Sequence, residues 1–212
     1  LVPTEGGEPR RLTWHPGDDV VQDFTPDGKE VPFTSQRDVY TRRFWHLFRV
    51  GVDGGFPTGY GLPTCVKATI SPDRTKIAYV PLNEAFTQWK NYRGGTASRI
   101  FIYDLGDRSV VTVPQPKERC NDTDPIWMGG KLYFRSDRAG EFNLFVYDPA
   151  TKGISQVTRH ADFPIQSASG GGNRIVYEQA GWLHLLEPDG GRTSRLKIGI
   201  ASELIETRPR FV

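Results

Sequence analysis

The chain repeats one unit along its length. Equivalent apolar positions in successive units are spaced by 50, 51, 44 and 39 residues. They are Leu12, Leu62, Val113, Val157 and Leu196. Each unit is made of short β-branched and aromatic runs bounded by Gly, Pro and Asp, and amphipathic helical periodicity is hard to find. A period of about 40–50 residues with four strands per unit is typical of β-propeller blades, whose sheets cover one another's faces. The sequence therefore predicts an all-β propeller of four-stranded antiparallel blades.

The third and fourth strands of each unit give the clearest pattern. The predicted third strands are HLFRVGVDGG (46–55), RIFIYDLGD (99–107), NLFVYDPATKG (143–153) and WLHLLEPDGG (182–191). The predicted fourth strands are TGYGLPT (58–64), VVTVPQP (110–116), ISQVTRH (154–160) and SRLKIGI (194–200). A Pro-Asp-Gly phrase at 26–28 and its counterpart at 72–74 predict tight corners between the first and second strands, with Gly28 at positive φ.

These units predict one propeller segment over residues 1–212. Four complete blades are expected at 18–64, 65–120, 121–162 and 163–203, with a partial blade at 1–17 and a further strand or linker at 204–212. Closure into five blades through both termini would leave the composite blade without a second strand. We therefore expect the curvature of a larger ring, with the open edges covered by another copy of the chain or by missing parts of a parent protein.

Composition excludes several classes of partner. The net charge is +2, and Lys and Arg are scattered among Asp and Glu, which argues against nucleic acid and anionic membranes as partners. There is no apolar run of the length that a membrane helix needs and no signal sequence, and the start at Leu1 resembles a cut from a longer chain, so the compartment stays unknown. Cys65 and Cys120 are expected to be free thiols, although neighbouring loops could also bring them together as a disulfide.

Catalytic patterns are absent from the sequence. No serine lies in a GxSxG elbow, and no glycine-rich phosphate loop opens a helix. His15, His46, His160 and His184 belong to different blades and lack metal-ligand spacing. Acidic residues recur in DTD (122–124) and SDR (136–138), which match turn positions of the first blade, so we interpret them as structural rather than as an acid–base pair. We therefore predict no catalytic residue, no metal and no cofactor.

One unit departs from the repeat. Between its second and third strands, residues 81–98 (PLNEAFTQWKNYRGGTAS) are too long for a hairpin turn. Long insertions on rigid scaffolds often carry function. The peptide-binding candidates are Trp89, Lys90, Tyr92 and Arg93, whose rings and cations suit a peptide carboxylate or an acidic chain. The alternative is that the aromatic side chains fill a gap against a neighbouring domain.

Several segments resemble one peptidase family. EPRRLTWHPG (8–17), QDFTPDGK (22–29), QWKNYRGGTASRI (88–100), NDTDPIWMGGKLYFRSDRAGEFNLFVYD (121–148) and ETRPRFV (206–212) together resemble the N-terminal six-bladed propeller of tricorn-type serine peptidases. The corner motif is shared with other propellers and is less specific than the WKNYRGG insertion. The resemblance covers nearly the whole chain.

The resemblance implies a large parent peptidase with a second propeller, a PDZ-like module and a catalytic core downstream. The family's catalytic serine and histidine belong to that core, so no position here inherits them. The propellers of this family are regarded as filters and channels for peptides. The implied compartment is cytoplasmic, with a periplasmic or secreted location open for bacterial members. The alternative hypothesis is a stand-alone peptide- or protein-binding propeller, which a stop codon in the parent reading frame would select.

Overall fold

The computed structural model describes residues 1–41 and 43–199; the expected strand or linker at 204–212 and the end of the last predicted blade lie outside this part. The described residues form sixteen strands in four four-stranded sheets. In every sheet the strands are neighbours in chain order and antiparallel. The predicted fold class, an all-β propeller of four-stranded blades, is confirmed.

We number the sheets as blades 1 to 4 along the chain. Blade 1 comprises β1 (Asp19–Val21), β2 (Glu30–Ser35), β3 (His46–Gly51) and β4 (Gly54–Gly59). Blade 2 comprises β5 (Lys67–Ile70), β6 (Lys76–Val80), β7 (Phe101–Asp104) and β8 (Val110–Thr112). Blade 3 comprises β9 (Asp122–Met128), β10 (Lys131–Ser136), β11 (Asn143–Asp148) and β12 (Gly153–Gln156). Blade 4 comprises β13 (Ile165–Gly171), β14 (Arg174–Gln179), β15 (Trp182–Glu187) and β16 (Arg192–Arg195).

The predicted corners join the first and second strands of blades 1 and 2. Gly28 has a φ of 68°, and its N–H donates to the carbonyl of Thr25 at 2.7 Å. Arg74 occupies the same position in blade 2 with a φ of 60°, and its N–H donates to the carbonyl of Ser71 at 2.8 Å. The left-handed residue closes the turn in both blades, and glycine adopts that conformation without a steric penalty.

The third strands lie within their predicted segments, whereas three fourth strands begin earlier than predicted, β12 by one residue. β4 begins at Gly54 instead of Thr58, because Gly51 pairs with Gly54 across a turn of only two residues. β16 begins at Arg192 instead of Ser194. Leu62, which marked the repeat, therefore lies beyond the end of β4, where it packs with Ile77 of blade 2.

The described core consists of three apolar layers between successive blades and a fourth cluster on blade 1. Leu47 and Leu62 of the first unit pack with Ile77 of blade 2. Between blades 2 and 3 the buried residues include Val80, Ile100, Leu132 and Phe134, and between blades 3 and 4 they include Leu144, Ile165, Ile175 and Tyr177. Each blade is thus stabilised through its neighbours, as the repeat predicted.

Cys65 and Cys120 are buried in these regions as free thiols, so they do not form the alternative disulfide.

Residues 1–18 form no regular strand, yet they fold back on themselves. The amino group of Leu1 donates to the carbonyl of Arg10 at 2.7 Å, and the N–H of Arg10 returns a bond of 2.7 Å to the carbonyl of Leu1. Leu12 packs against the apolar cluster of blade 1.

The described helical structure is a single 3-10 turn at Ala85–Thr87. No helix in the described part of the chain has the length and apolar character needed to cross a membrane.

Candidate functional site

The inserted segment 81–98 defines one face of the molecule. In an antiparallel meander, the connections between second and third strands lie at the same end of the sheets as the connections between blades. Residues 81–98, 137–142 and 157–164 are connections of these two kinds in blades 2, 3 and 4. We call this end the insertion face. The Pro-Asp-Gly corners lie at the opposite end.

The beginning of the insertion is fixed to blade 3 by a charged cluster. Glu84 Oε2 lies 3.0 Å from Lys67 Nζ, and Glu84 accepts a hydrogen bond from the hydroxyl of Thr123. Burial raises the pKa of the Glu84 carboxyl above its ordinary value, while Lys67 acts in the opposite direction. Lys67 also pairs with Asp124. The insertion therefore starts from a rigid, largely dehydrated base.

An aromatic and cationic cluster follows in the 3-10 turn. The ring of Phe86 lies 4.7 Å from the ring of Phe142 in blade 3. The guanidinium of Arg135 lies 4.8 Å from the centre of Phe142 and 5.6 Å from that of Phe86. Arg135 Nε donates to Asp124 at 2.6 Å, and its Nη1 donates to the carbonyl of Ile165 in blade 4 at 2.9 Å. This cluster connects the insertion with blades 3 and 4.

The two predicted cations have different environments. Lys90 Nζ lies 2.8 Å from Glu141, and 66% of the Lys90 side chain is exposed. Arg93 Nη1 lies 2.6 Å from Asp137, whose side chain is only 2% exposed. Asp137 also accepts bonds of 2.7 and 2.9 Å from the backbone N–H and the side-chain amide of Asn121. Arg93 is thus the partner of a buried carboxylate, whereas Lys90 belongs to a surface ion pair.

The two predicted rings lie next to each other outside the cluster. The centres of Trp89 and Tyr92 are 6.1 Å apart, and Trp89 is 60% exposed. The hydroxyl of Thr96 donates to the hydroxyl of Tyr92 at 3.0 Å, and the carbonyl of Tyr92 accepts a bond of 2.9 Å from Asn121. The structure places all four predicted residues on the insertion face; their role in peptide binding stays a prediction.

A groove of about 460 Å³ opens on the insertion face beside this cluster. Residues from the insertion, from blade 3 and from the first residues of blade 4 line it, and of the four predicted residues Lys90 is among them. Its charged side chains are two cations and two carboxylates: Lys90, Arg135, Asp137 and Glu141. The groove has the volume of a small-ligand site, and its lining combines the rings of Phe86 and Phe142 with polar and charged side chains.

Sequence reasoning missed the blade 3 side of this groove. Phe142 and Glu141 carry no motif, and Arg135 stands in a strand without any sign of its contact with Phe86. Asp137 was noticed in SDR (136–138) and interpreted as structural, which agrees with its burial. Only the spatial proximity of blades 2 and 3 reveals these residues as a set.

The acidic residues Asp122 and Asp137, which the sequence analysis interpreted as structural, are paired with arginines of the chain. Arg138 donates to both carboxylate oxygens of Asp122 at 2.9 Å, and Arg37 donates to both oxygens of Asp19 at 2.9 and 2.7 Å. The same pair therefore recurs in blades 3 and 1. In residues 1–41 and 43–199, no group of three or more His, Cys, Asp or Glu side chains could hold a metal ion.

The histidines differ in one respect from the sequence interpretation. His160 and His184 belong to different blades, but their rings are 6.0 Å apart across the boundary between blades 3 and 4. Both contact Tyr177, whose hydroxyl lies 3.1 Å from His160 Nε2. His184 Nε2 is buried without a hydrogen-bond partner within the described part of the chain.

Curated relatives were found among tricorn proteases. The chain is 29% identical over 211 residues to tricorn protease homolog 1 of Streptomyces coelicolor, covering 97% of this chain and 19% of the relative. It is 23% identical over 202 residues to the tricorn protease of Thermoplasma acidophilum, covering 92% and 18%. The chain thus spans about a fifth of the length of these relatives.

Solved structures share the fold. A crystal structure of the tricorn protease matches with a TM-score of 0.80 at 22% identity, over 95% of this chain and 20% of that one. TolB from Acinetobacter baumannii matches with a TM-score of 0.66 at 16% identity, over 92% and 47%. The model of the tricorn protease N-terminal beta propeller domain matches residues 1–192. Because this match covers most of the chain, the protein belongs to the tricorn protease N-terminal β-propeller family.

Proposed function

We propose that the chain is a non-catalytic propeller segment of a tricorn-like serine peptidase, which contacts peptides as a filter or channel element and supports neighbouring domains. Family membership and the relatives' fivefold greater length support this assignment. Peptide hydrolysis would then belong to other parts of the parent protein. A propeller supplies a rigid frame on which such a contact surface can be held.

The groove on the insertion face is the observation that carries the proposal. Its walls come from three blades, and the insertion is held by the buried Arg93–Asp137 pair and the Glu84–Lys67 pair. A peptide would therefore meet a preformed surface, which lowers the entropy cost of binding. Lys90 lines this groove and Trp89 lies outside it on the same insertion; both are exposed enough to contact a ligand, and Tyr92 and Arg93 would hold the insertion in place.

The buried thiols support a role without nucleophilic chemistry. Burial raises the pKa of Cys65 far above its ordinary value and the pKa of Cys120 to about 12. Both thiols would therefore stay protonated at neutral pH, and the thiolate is the nucleophilic form. Neither cysteine offers an activated nucleophile to a peptide bond.

Apolar side chains on blade 1 support the scaffold role. Val21 and Phe24 are 65% and 51% exposed. Beside them, an apolar groove of about 320 Å³ contains Leu12 and Phe33. Contiguous exposed apolar surface is typical of an interface, and a further domain of the parent protein would fit it.

Two assays of the 212-residue chain test the proposal. Fluorogenic peptides should show no turnover, and peptides titrated into isotope-labelled protein should shift the amide resonances of residues 86–91 and 165–166. Turnover that survives repurification and is abolished by a substitution within this chain would contradict the non-catalytic assignment. Absence of any peptide-induced shift at millimolar concentration would contradict the peptide-contact role.

A further inference from the structure

The walls of the groove on the insertion face favour aromatic side chains. Phe86 and Phe142 are only partly buried, and they pack with Arg135, whose side chain is 6% exposed. Aromatic rings gain from edge-to-face and offset contacts with other rings, and a guanidinium plane adds a further stacking surface. An entering aromatic ring would extend a cluster that already exists.

The charges of the groove are already neutralised by the chain itself. Lys90 lies 2.8 Å from Glu141, Arg135 lies 2.6 Å from Asp124, and Asp137 is paired with Arg93. An acidic side chain would have to displace Glu141 from Lys90 and would then lie beside two carboxylates. A basic side chain would compete in the same way for Glu141. The groove is therefore better suited to an uncharged side chain than to either charged class.

Two amide side chains supply polar contacts at the rim. Ile165 pairs with Gln179 and Ser167 pairs with Glu178, so Gln166 is an extra residue without a partner in β14. Such bulges redirect a side chain, and Gln166 is exposed and lines the groove. Asn91, at a φ of 62°, lines the groove from the insertion.

Blade 3 contains a corresponding bulge with a different use. Thr123 pairs with Arg135 and Ile126 pairs with Tyr133, which leaves one extra residue at Asp124–Pro125. There the side chain of Asp124 forms ion pairs with Arg135 and Lys67. In blade 4 the equivalent irregularity instead leaves an amide facing the groove. An amide can donate to and accept from the main chain of a peptide.

We propose that this groove binds a peptide segment carrying an uncharged aromatic side chain, with the ring against Phe86, Phe142 and Arg135 and the main chain bonded by Gln166 and Asn91. The inference rests on the proposed function, in that it specifies which peptides the segment contacts. It replaces the acidic peptide expected from the insertion's composition, because the structure pairs each cation with a carboxylate.

Binding of four matched peptides tests the inference. Acetyl-Gly-Gly-X-Gly-Gly-amide, with X as Phe, Leu, Glu or Lys, has no terminal charge and differs only at the central side chain. Resonance shifts of the 212-residue chain would give the dissociation constants. We expect the Phe peptide to bind about three- to tenfold more tightly than the Leu peptide, the range of an aromatic pair, and the charged peptides to bind most weakly.

Two variants distinguish binding in the groove from non-specific binding to exposed aromatic rings. Phe142→Leu keeps an apolar side chain but removes one of the two rings, so it should reduce the preference for Phe over Leu. Phe56→Leu removes a ring that is 98% exposed on blade 1 and should leave the preference unchanged. Circular dichroism and urea unfolding would verify that both variants fold.

The outcomes distinguish this inference from the proposed function. A preference for Phe that Phe142→Leu reduces and Phe56→Leu leaves unchanged supports it. Equal binding of all four peptides, or tightest binding of the Glu peptide, overturns the aromatic specificity and leaves peptide contact standing. Failure of all four peptides to bind at millimolar concentration overturns both.

Discussion

Arg138 donates two hydrogen bonds of 2.9 Å to the two carboxylate oxygens of Asp122, whose side chain is fully buried. The guanidinium also covers the rings of Phe134 and Phe145 at 5.0 and 5.3 Å. Blade 1 repeats the arrangement with Arg37, Asp19 and the rings of Phe33 and Phe48. The pair joins the first strand of a blade to the end of its second strand. It is a structural device of the repeat, placed directly beneath the insertion face.

Removing one member of this pair should destabilise the protein strongly. Arg138→Ala leaves the carboxylate of Asp122 buried without its counter-ion, so we expect a loss of about 3–5 kcal/mol in the free energy of unfolding. Arg37→Ala should cost less, because the side chain of Asp19 is 13% exposed and water can partly hydrate it. Urea unfolding followed by tryptophan fluorescence measures both. A loss below about 0.5 kcal/mol for Arg138→Ala would show that the pair is not a major contributor.

Replacing the two cations of the insertion should have different effects on the free energy of unfolding in the same assay. Arg93→Ala removes the partner of the buried Asp137, although the bonds from Asn121 remain, so we expect a loss of about 2–3 kcal/mol. Lys90→Ala breaks a pair whose lysine is 66% exposed and should cost about 0–1 kcal/mol. The reverse order of stabilities would contradict the assignment of Arg93 as the structural residue and Lys90 as the exposed one.

Blades 3 and 4 approach each other closely at Gly170. A Cβ on Gly170 would overlap Cγ2 of Ile126 and lie 3.4 Å from Cε of Met128. Gly170→Ala should therefore cost about 1–3 kcal/mol through overpacking. Gly171 follows in the same strand, and its Cβ would meet no atom within 4 Å, so Gly171→Ala is a matched control. Comparable losses for both variants would indicate a backbone effect in β13 instead of a steric conflict with β9.

The repeat could be predicted from the sequence because its signals are local. The corner at Gly28 depends on one residue at positive φ, and the third strands depend on runs of β-branched and aromatic residues. Such patterns extend over about ten residues, so they can be recognised even though the spacing of the units varies. The fold class followed from counting them, whereas the exact start of β4 depended on a two-residue turn that the composition does not specify.

The groove could not be predicted because its contacts join distant segments. Arg93 and Asp137 are 44 residues apart, and Lys90 and Glu141 are 51 residues apart. Their pairing depends on how blades 2 and 3 pack, which no local pattern encodes. Composition therefore identified the cations of the insertion and missed the carboxylates that neutralise them. The same limitation hid the proximity of His160 and His184.

Acid should weaken the boundary between blades 3 and 4 through His160. Burial and then the neighbouring His184 lower the pKa of His160 below its ordinary value of 6.5, with Asp162 acting in the opposite direction. The unfolded chain, with the ordinary pKa, therefore takes up this proton at a higher pH than the folded chain does. The stabilisation is complete above about pH 6.5 and is lost as the pH falls through the lower pKa of the folded state.

We expect the free energy of unfolding to decrease between pH 7.5 and pH 5, because the protonated ring would lie against Tyr177 and His184 without a buried counter-ion. His160→Gln removes the titrating group and should flatten this part of the profile. Urea unfolding of both proteins at five pH values across the range measures the difference. Parallel profiles would assign the acid sensitivity to other groups, since a change in His160 protonation contributes only to the protein that contains it.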